Sequence, residues 1–205
     1  MFFTVAPANP VFTPTLVHEP ALLRPAVAAD YPEWLSLRQA SRAHLTRWED
    51  DWRDDQVNRL SFLRRIRANA RETRRGAGLS LLVFNHGTGA GGAGEMVGGA
   101  SLTNIRFGAS RSALIGYWIG EPFIRRGFGR AALGALVAHG FGPLDLNRLV
   151  AACQPENIAS QKLLESNGFA REGLAREYLK INGVWRDHFI YALTASEHAR
   201  RTPKG

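Results

Sequence analysis

The chain has 205 residues, 45% of them hydrophobic and 21% charged, which supports one sizeable core and excludes general disorder or a fibrous architecture. Lys and Arg total 26 against 18 Asp and Glu, a net charge of +8, so an anionic partner is expected: nucleic acid, a membrane surface or a phosphorylated ligand. The single cysteine, Cys153, excludes an internal disulfide and a thiolate metal site and fits a cytoplasmic address.

Residues 1–20, opening MFFTVAPANPVFTP, lack the basic start and long apolar run of a secretory signal and read as a Pro-rich tail. No stretch approaches the roughly 18 apolar residues of a membrane helix. One domain is expected over 21–195, followed by a basic tail over 196–205.

In chain order, ALLRPAV reads as a strand, and DYPEWLSLRQA as a helix with Asp30 as N-cap and Pro32 in its first turn. A second helix is predicted from Asp55 to Glu72, with Val57, Leu60, Leu63 and Ile66 at helical spacing and an Arg-rich face in water. GLSLLVF is a strand, and HGTGAGGAG after it a loop too irregular for a phosphate motif. EMVGGASLTNIRF and SALIGYWIG read as two antiparallel strands, with a bulge expected at Gly98 and Gly99.

A helix from about Gly127 to His139, the strand NRLVAACQ, a helix from Asn157 to Ser166, and the strands GFAREGLAREYLKI and WRDHFIYAL complete the order. Asn182 and Gly183 form the last turn. This order calls for an α/β (α+β) domain: a mixed, mostly antiparallel central sheet with helices on both faces.

The stretch EPFIRRGFGRAA at 121–132 carries the clearest chemistry. Pro122 stops the preceding strand, Gly127 and Gly129 admit a ligand close to the backbone, and an Ala-rich helix follows. The unpaired N–H groups of that helix start favour phosphate, and Arg125, Arg126 and Arg130 add charge. A dinucleotide fingerprint, G-x-G-x-x-A, fits the letters but not the context. Its turn should follow the strand directly, and no acidic residue ends the next strand, where Leu149 and Val150 stand.

The same loop resembles the Gln/Arg-x-x-Gly-x-Gly/Ala signature of the GCN5-related N-acetyltransferases, spanning Ile124 to Gly129, with Ile124 in place of the family's Gln or Arg. PENIASQKLLESNGF resembles the second signature of that superfamily, with Asn157 as N-cap and Gly168 as helix terminator. Asn157, Ser160, Gln161 and Leu164 share one helix face. The ending GFAREGLAREYLKINGVWRDHFIYAL, with Gly183, Trp185 and Asp187, resembles the RimJ-type ribosomal-protein N-terminal acetyltransferases, as do LRP at Leu23–Pro25, HLTRWEDDW and IGYWIG. The resemblance covers about Ala21 to Thr194.

It implies a GNAT fold and transfer of acetyl from acetyl-CoA (coenzyme A) to an amine by direct attack on the thioester, with no metal. By this resemblance the cofactor-binding residues are Tyr117, Trp118, Ile119, Arg125, Arg126, Gly127, Phe128, Gly129, Arg130, Asn157 and Ser160. Ser160, Glu177 and Tyr178 are the catalytic candidates. Leu164 occupies the position at which many relatives carry a tyrosine acid. Trp48, Glu49, Asp50, Trp185 and Asp187 are the substrate-binding candidates.

The scarcity of bases favours a protein α-amine as acceptor, because near pH 7.4 roughly 30% of an α-amine but only about 0.1% of a lysine is neutral. A polyamine or aminoglycoside acceptor and a non-catalytic acyl-CoA sensor are the alternatives. Direct nucleic-acid or membrane binding is not expected, and either a monomer or a homodimer is compatible. Cys153 and His188 read as structural residues.

Overall fold

The computed structural model describes residues 15–87 and 93–201. Most of the expected Pro-rich tail, the centre of the glycine-rich loop at 88–92 and the last four residues lie outside the described residues. Strands β1 (Leu16–His18), β2 (Ala21–Arg24), β3 (Leu79–His86), β4 (Ala93–Arg106), β5 (Ser112–Ile119), β6 (Arg148–Cys153), β7 (Ala170–Ile181) and β8 (Val184–Thr194) form one sheet. Its order is β1-β2-β3-β4-β5-β6-β8-β7. Every neighbouring pair is antiparallel except β5 with β6. β1 lies within the segment expected as tail, and a terminal helix, Ala195–Arg201, extends into the expected C-terminal tail.

Helices α1 (Tyr31–Ala40), α2 (Arg42–Leu45), α3 (Asp54–Val57), α4 (Arg59–Arg74), α5 (Phe128–Phe141), α6 (Ile158–Ser166) and α7 (Ala195–Arg201) complete the domain. Among the described residues, no helix is long and apolar enough to cross a membrane. The core joins Leu23, Phe84, Met96 and Leu102 of the sheet to Leu133 and Leu136 of α5 and to Leu149, Tyr191 and Leu193. α5 is thus buried along most of its length, consistent with the Ala-rich run that forms it.

Three sequence expectations change. The helix predicted over Asp55–Glu72 is two helices, because Asn58 is extended and its side chain accepts from the Ser61 N–H, capping α4. That break resets the helical phase, so Phe62 is buried while Leu60, expected on the apolar face, is 52% exposed. Asp30 does not cap α1. Its carboxylate instead accepts from Arg24 at 2.7 and 2.8 Å and from the Val27 N–H at 2.8 Å. The bulge expected at Gly98 and Gly99 lies one residue earlier: Leu82 and Val83 pair with Gly99 and Gly98, but Phe84 pairs with Met96, leaving Val97 as the extra residue.

Candidate acetyl-donor and acceptor site

The sheet opens between β5 and β6. Their parallel pairing covers only Ser112–Leu114 against Arg148–Val150, yet β5 continues to Ile119 along β4, and β6 to Cys153 along β8. The two inner edges therefore present main-chain donors and acceptors without a strand partner, and such groups favour a ligand that carries amides.

A cleft of about 910 Å³ occupies this opening. Its walls are Ile115–Ile119 of β5, Ala151–Cys153 of β6, the loop before α5, and the first turns of α6.

The loop at the mouth of the cleft has the backbone of an anion cradle. Arg125 (φ 61°) and Gly127 (φ 86°) are both left-handed and bracket Arg126. Alternation of this kind turns successive N–H groups toward one concavity. The first turn of α5 closes with the Ala131 N–H donating to the Gly127 carbonyl at 3.0 Å, so the Phe128, Gly129 and Arg130 N–H groups precede any helical acceptor. Gly127 provides the left-handed residue at no steric cost. The donors of this concavity are main-chain groups and do not depend on the side chain of Ile124, which is 40% exposed on the cleft wall.

Not every residue expected at the loop faces the cleft. Arg125, Gly127, Gly129 and Arg130 line it, as do Tyr117, Trp118, Ile119, Asn157 and Ser160. Arg126 turns over the Phe123 and Phe128 rings at 5.4 and 5.7 Å. Phe128 is 4% exposed and packs edge-on against Phe123, so the contribution open to these two residues is through the backbone.

At the inner end of the cleft, β5 and α6 meet through a polar contact. Asn157 caps α6 by accepting from the Ser160 N–H at 3.0 Å, and the Ser160 hydroxyl lies 2.8 Å from the Tyr117 hydroxyl. Burial pushes the Tyr117 phenol up to about 12, partly offset by the hydrogen bond to Ser160, so it stays protonated at neutral pH. Leu164 is fully buried beneath this pair. Cys153 also lines the cleft, with its thiol pushed up chiefly by burial. His188 lines the cleft as well. Its Nδ1 sits 3.0 Å from the Arg186 carbonyl and must donate to it, because a carbonyl only accepts.

Glu177 and Tyr178 are not brought to the cleft. They lie in an irregular stretch of the β7–β8 ladder between Ala175 and Leu179. There the Glu177 N–H donates to Asp187 at 2.8 Å, and the Tyr178 ring lies tilted against His188 at 5.5 Å. Trp185 is 56% exposed and, like Asp187, lines neither the cleft nor its neighbouring cavity. The two-residue strand alternation was legible, but the irregular register that shifts these side chains was not.

A second cavity, about 360 Å³, adjoins the first. Trp34 of α1 and Phe62, Arg65, Ile66 and Asn69 of α4 line it, together with β3, β4 and Glu49. Gly116, Tyr117 and Trp118 line both spaces, so the two share this part of β5 as a wall. The Trp118 indole lies flat against β4 because Gly99 has no side chain: a Cβ there would stand 2.4 Å from the indole nitrogen.

The segment Trp48–Glu49 also borders both spaces, with Trp48 on the cleft and Glu49 on the cavity. It is fixed by the β7–β8 turn. The Asp51 N–H donates to the Asn182 side-chain oxygen at 2.7 Å, the Asn182 N–H to Asp50 at 2.7 Å, and the Asn182 amide nitrogen to the Thr46 carbonyl at 3.0 Å. Asp50, expected to bind substrate, is thereby occupied in tying the turn to this segment. Among the described residues, no group of His, Cys, Asp and Glu is placed to hold a metal.

A family model for the acetyltransferase (GNAT) domain matches residues 21–170. A probable N-acetyltransferase, YjcK, of Bacillus subtilis is 38% identical over 99 residues, 48% of this chain and 55% of that protein. The ribosomal protein uS5-alanine N-acetyltransferase of Escherichia coli is 35% identical over 103 residues, 50% of this chain and 53% of that protein. The chain thus spans about half the length of the curated relatives it matches. Among solved structures, Mycobacterium smegmatis RimJ in complex with CoA-disulfide superimposes with a TM-score of 0.80 at 32% identity, covering 90% of this chain and 85% of that one.

Proposed function

Because the chain belongs to the GNAT acetyltransferase family, we propose that it moves an acetyl group from acetyl-CoA to an amine, in the first instance the α-amine of a protein. The observation that carries this reading is the meeting of the phosphate cradle, the unpaired β5 and β6 edges and the Tyr117–Ser160 contact in one cleft. The residues fit coenzyme A on the chemistry of their donors. The N–H groups from Arg125 to Arg130, with the side chains of Arg125 and Arg130, suit a pyrophosphate. The open strand edges suit an amide-bearing arm.

A bound thioester supplies an acetyl carbon open to attack and a thiolate leaving group. The protein's part is to hold the two reactants together, worth roughly 7–11 kcal/mol when the geometry is right. A main-chain N–H on β5 polarises the acetyl carbonyl, and the Ser160 hydroxyl, backed by Tyr117, stands ready to protonate the departing sulfur. Cys153, with its thiol raised by burial, has no role as a nucleophile in this scheme.

The α-amine is preferred as acceptor because of its neutral fraction, and because the matches include a ribosomal protein uS5-alanine N-acetyltransferase and a ribosomal L7/L12 alpha-N-protein acetyltransferase. Mass spectrometry of peptides carrying both a free α-amine and a lysine tests this, with acetyl expected at the N-terminus. Acetylation confined to lysine or to added polyamines would contradict it.

A further inference from the structure

Among the described residues, Glu49 is the sole carboxylate lining the smaller cavity, the space that shares the Gly116–Trp118 wall with the donor cleft. The neighbouring acids are otherwise engaged. Asp50 accepts from Asn182, Asp51 forms a two-point contact with Arg42, and Asp55 pairs with Arg53. The Asp187 carboxylate accepts from the Glu177 main-chain N–H, and Glu177 does not line either space. A carboxylate in a cavity that shares the Gly116–Trp118 wall with a cleft suited to an acyl donor is placed to meet whatever reacts with that donor.

The surroundings of Glu49 hold it in place without using it up. One of its oxygens is fully buried and pairs with an Arg38 guanidinium nitrogen at 2.6 Å. Arg38 is in turn clasped by the Trp52 ring at 4.0 Å and the Trp118 ring at 5.0 Å. An ionised carboxylate offers about four acceptor positions, so most of the capacity of Glu49 is open to a donor entering the cavity.

We infer that Glu49 is a catalytic residue that binds the acceptor's ammonium group beside β5 and takes its first proton, making the nitrogen nucleophilic. This rests on the acetyl-transfer reading above. In the step, the ammonium gives one proton to a Glu49 oxygen, and the freed lone pair forms the C–N bond. The C–S bond breaks with its electrons going to sulfur. The nitrogen then loses its second proton and the sulfur gains one, leaving amide, thiol and a protonated Glu49.

The charge balance supports a proton acceptor here. Burial raises the Glu49 carboxyl above its ordinary range, while Arg38 of α1 and Arg65 of α4 lower it and Asp50 raises it, with burial the largest influence. A carboxyl moved toward neutrality is a better match to proton transfer than an exposed one. Aromatic and aliphatic walls from Trp34, Phe62 and Ile66 leave room beside it for an uncharged first side chain.

Steady-state kinetics of the full chain with two acceptors tests the inference: a peptide with a free α-amine, and a hydrazide, whose nitrogen is already neutral at the assay pH. Glu49→Gln should lower kcat/KM for the peptide about 100-fold, lower it little for the hydrazide, and leave acetyl-CoA affinity unchanged. Glu49→Asp, which keeps the charge opposite Arg38, should fall between wild type and Glu49→Gln with the peptide and match wild type with the hydrazide; it serves if Glu49→Gln fails to fold.

Wild-type kcat/KM for the peptide in a folded Glu49→Gln, or an equal loss with both acceptors in both variants, would overturn the role of Glu49 and leave acetyl transfer standing. A wild type that turns over neither acceptor would overturn the transferase reading itself, and this inference with it.

Discussion

The hydroxyls of Tyr117 and Ser160, 43 residues apart in sequence, lie 2.8 Å from each other across the cleft between β5 and α6. Leu164, at the α6 position where the family resemblance implies a tyrosine in many relatives, is fully buried. β5 thus delivers to the first turn of α6 the phenol that the helix itself lacks. Tyr117→Phe should lower kcat about 10- to 100-fold, at or below the lower end of the range for a general acid because Ser160 remains, with acetyl-CoA affinity unchanged. A phenylalanine variant at full wild-type kcat would show that the contact only braces the fold.

The same phenol has a consequence for stability at high pH. Its native value of about 12 lies above the ordinary tyrosine value of about 10, so between these values the native state keeps a proton that the unfolded chain has lost. Stability should fall as pH rises through that window. Denaturant titrations at pH 9 and pH 11 should show the fall in the wild type and a smaller one in Tyr117→Phe. Equal losses in both proteins would contradict the raised phenol.

Gly99 tests the position of Trp118. An alanine there would place a Cβ 2.4 Å from the indole nitrogen, so the ring must shift and the wall shared by the two spaces with it. Overpacking of this kind costs about 1–3 kcal/mol. Gly99→Ala should lower the midpoint of chemical unfolding accordingly and raise KM for the peptide more than for acetyl-CoA.

Asn182 carries three hydrogen bonds between the β7–β8 turn and the Thr46–Asp51 segment. Both Asn182 and Gly183 are left-handed, at φ 50° and 81°. Asn182→Gly preserves that backbone while removing the two side-chain bonds, isolating their effect. The variant should raise peptide KM several-fold, as Trp48 and Glu49 lose their support, and leave acetyl-CoA binding as in the wild type.

Cys153 is 5% exposed, with a thiol raised by burial, so its thiolate fraction near pH 7.5 is small. Alkylation by iodoacetamide should be slow in the native protein and rapid once it is unfolded. Fast native alkylation would mean an activated thiol and would reopen a nucleophilic role.

The sequence carried the phosphate loop and the α6 signature because both are local: glycine spacing, a helix cap and one helix face are read within a dozen residues. The succession of most strands and helices along the chain and the Asn182–Gly183 turn were legible for the same reason. What escaped depends on chain segments that only meet in space. Tyr117 was expected to line the thioester, but its bond to Ser160 joins elements 43 residues apart. Asp50 was assigned to substrate, although its partner Asn182 lies 132 residues away. Glu177 and Tyr178 were displaced from the site by an irregular ladder that alternation cannot reveal. The misplacement of Leu60 came from a helix break at Asn58, whose capping side chain was read as part of a continuous helix.

Calorimetric titration of acetyl-CoA into the wild type and into Gly129→Glu tests the central claim most directly. Gly129 lines the cleft in the first turn of α5, so a carboxylate there sets a negative charge against the pyrophosphate. The account predicts saturable binding to the wild type, and at least a tenfold loss (about 1.4 kcal/mol) in a variant whose melting curve shows it folded. No binding to the wild type, or equal binding to both proteins, would contradict the assignment of this cleft to coenzyme A.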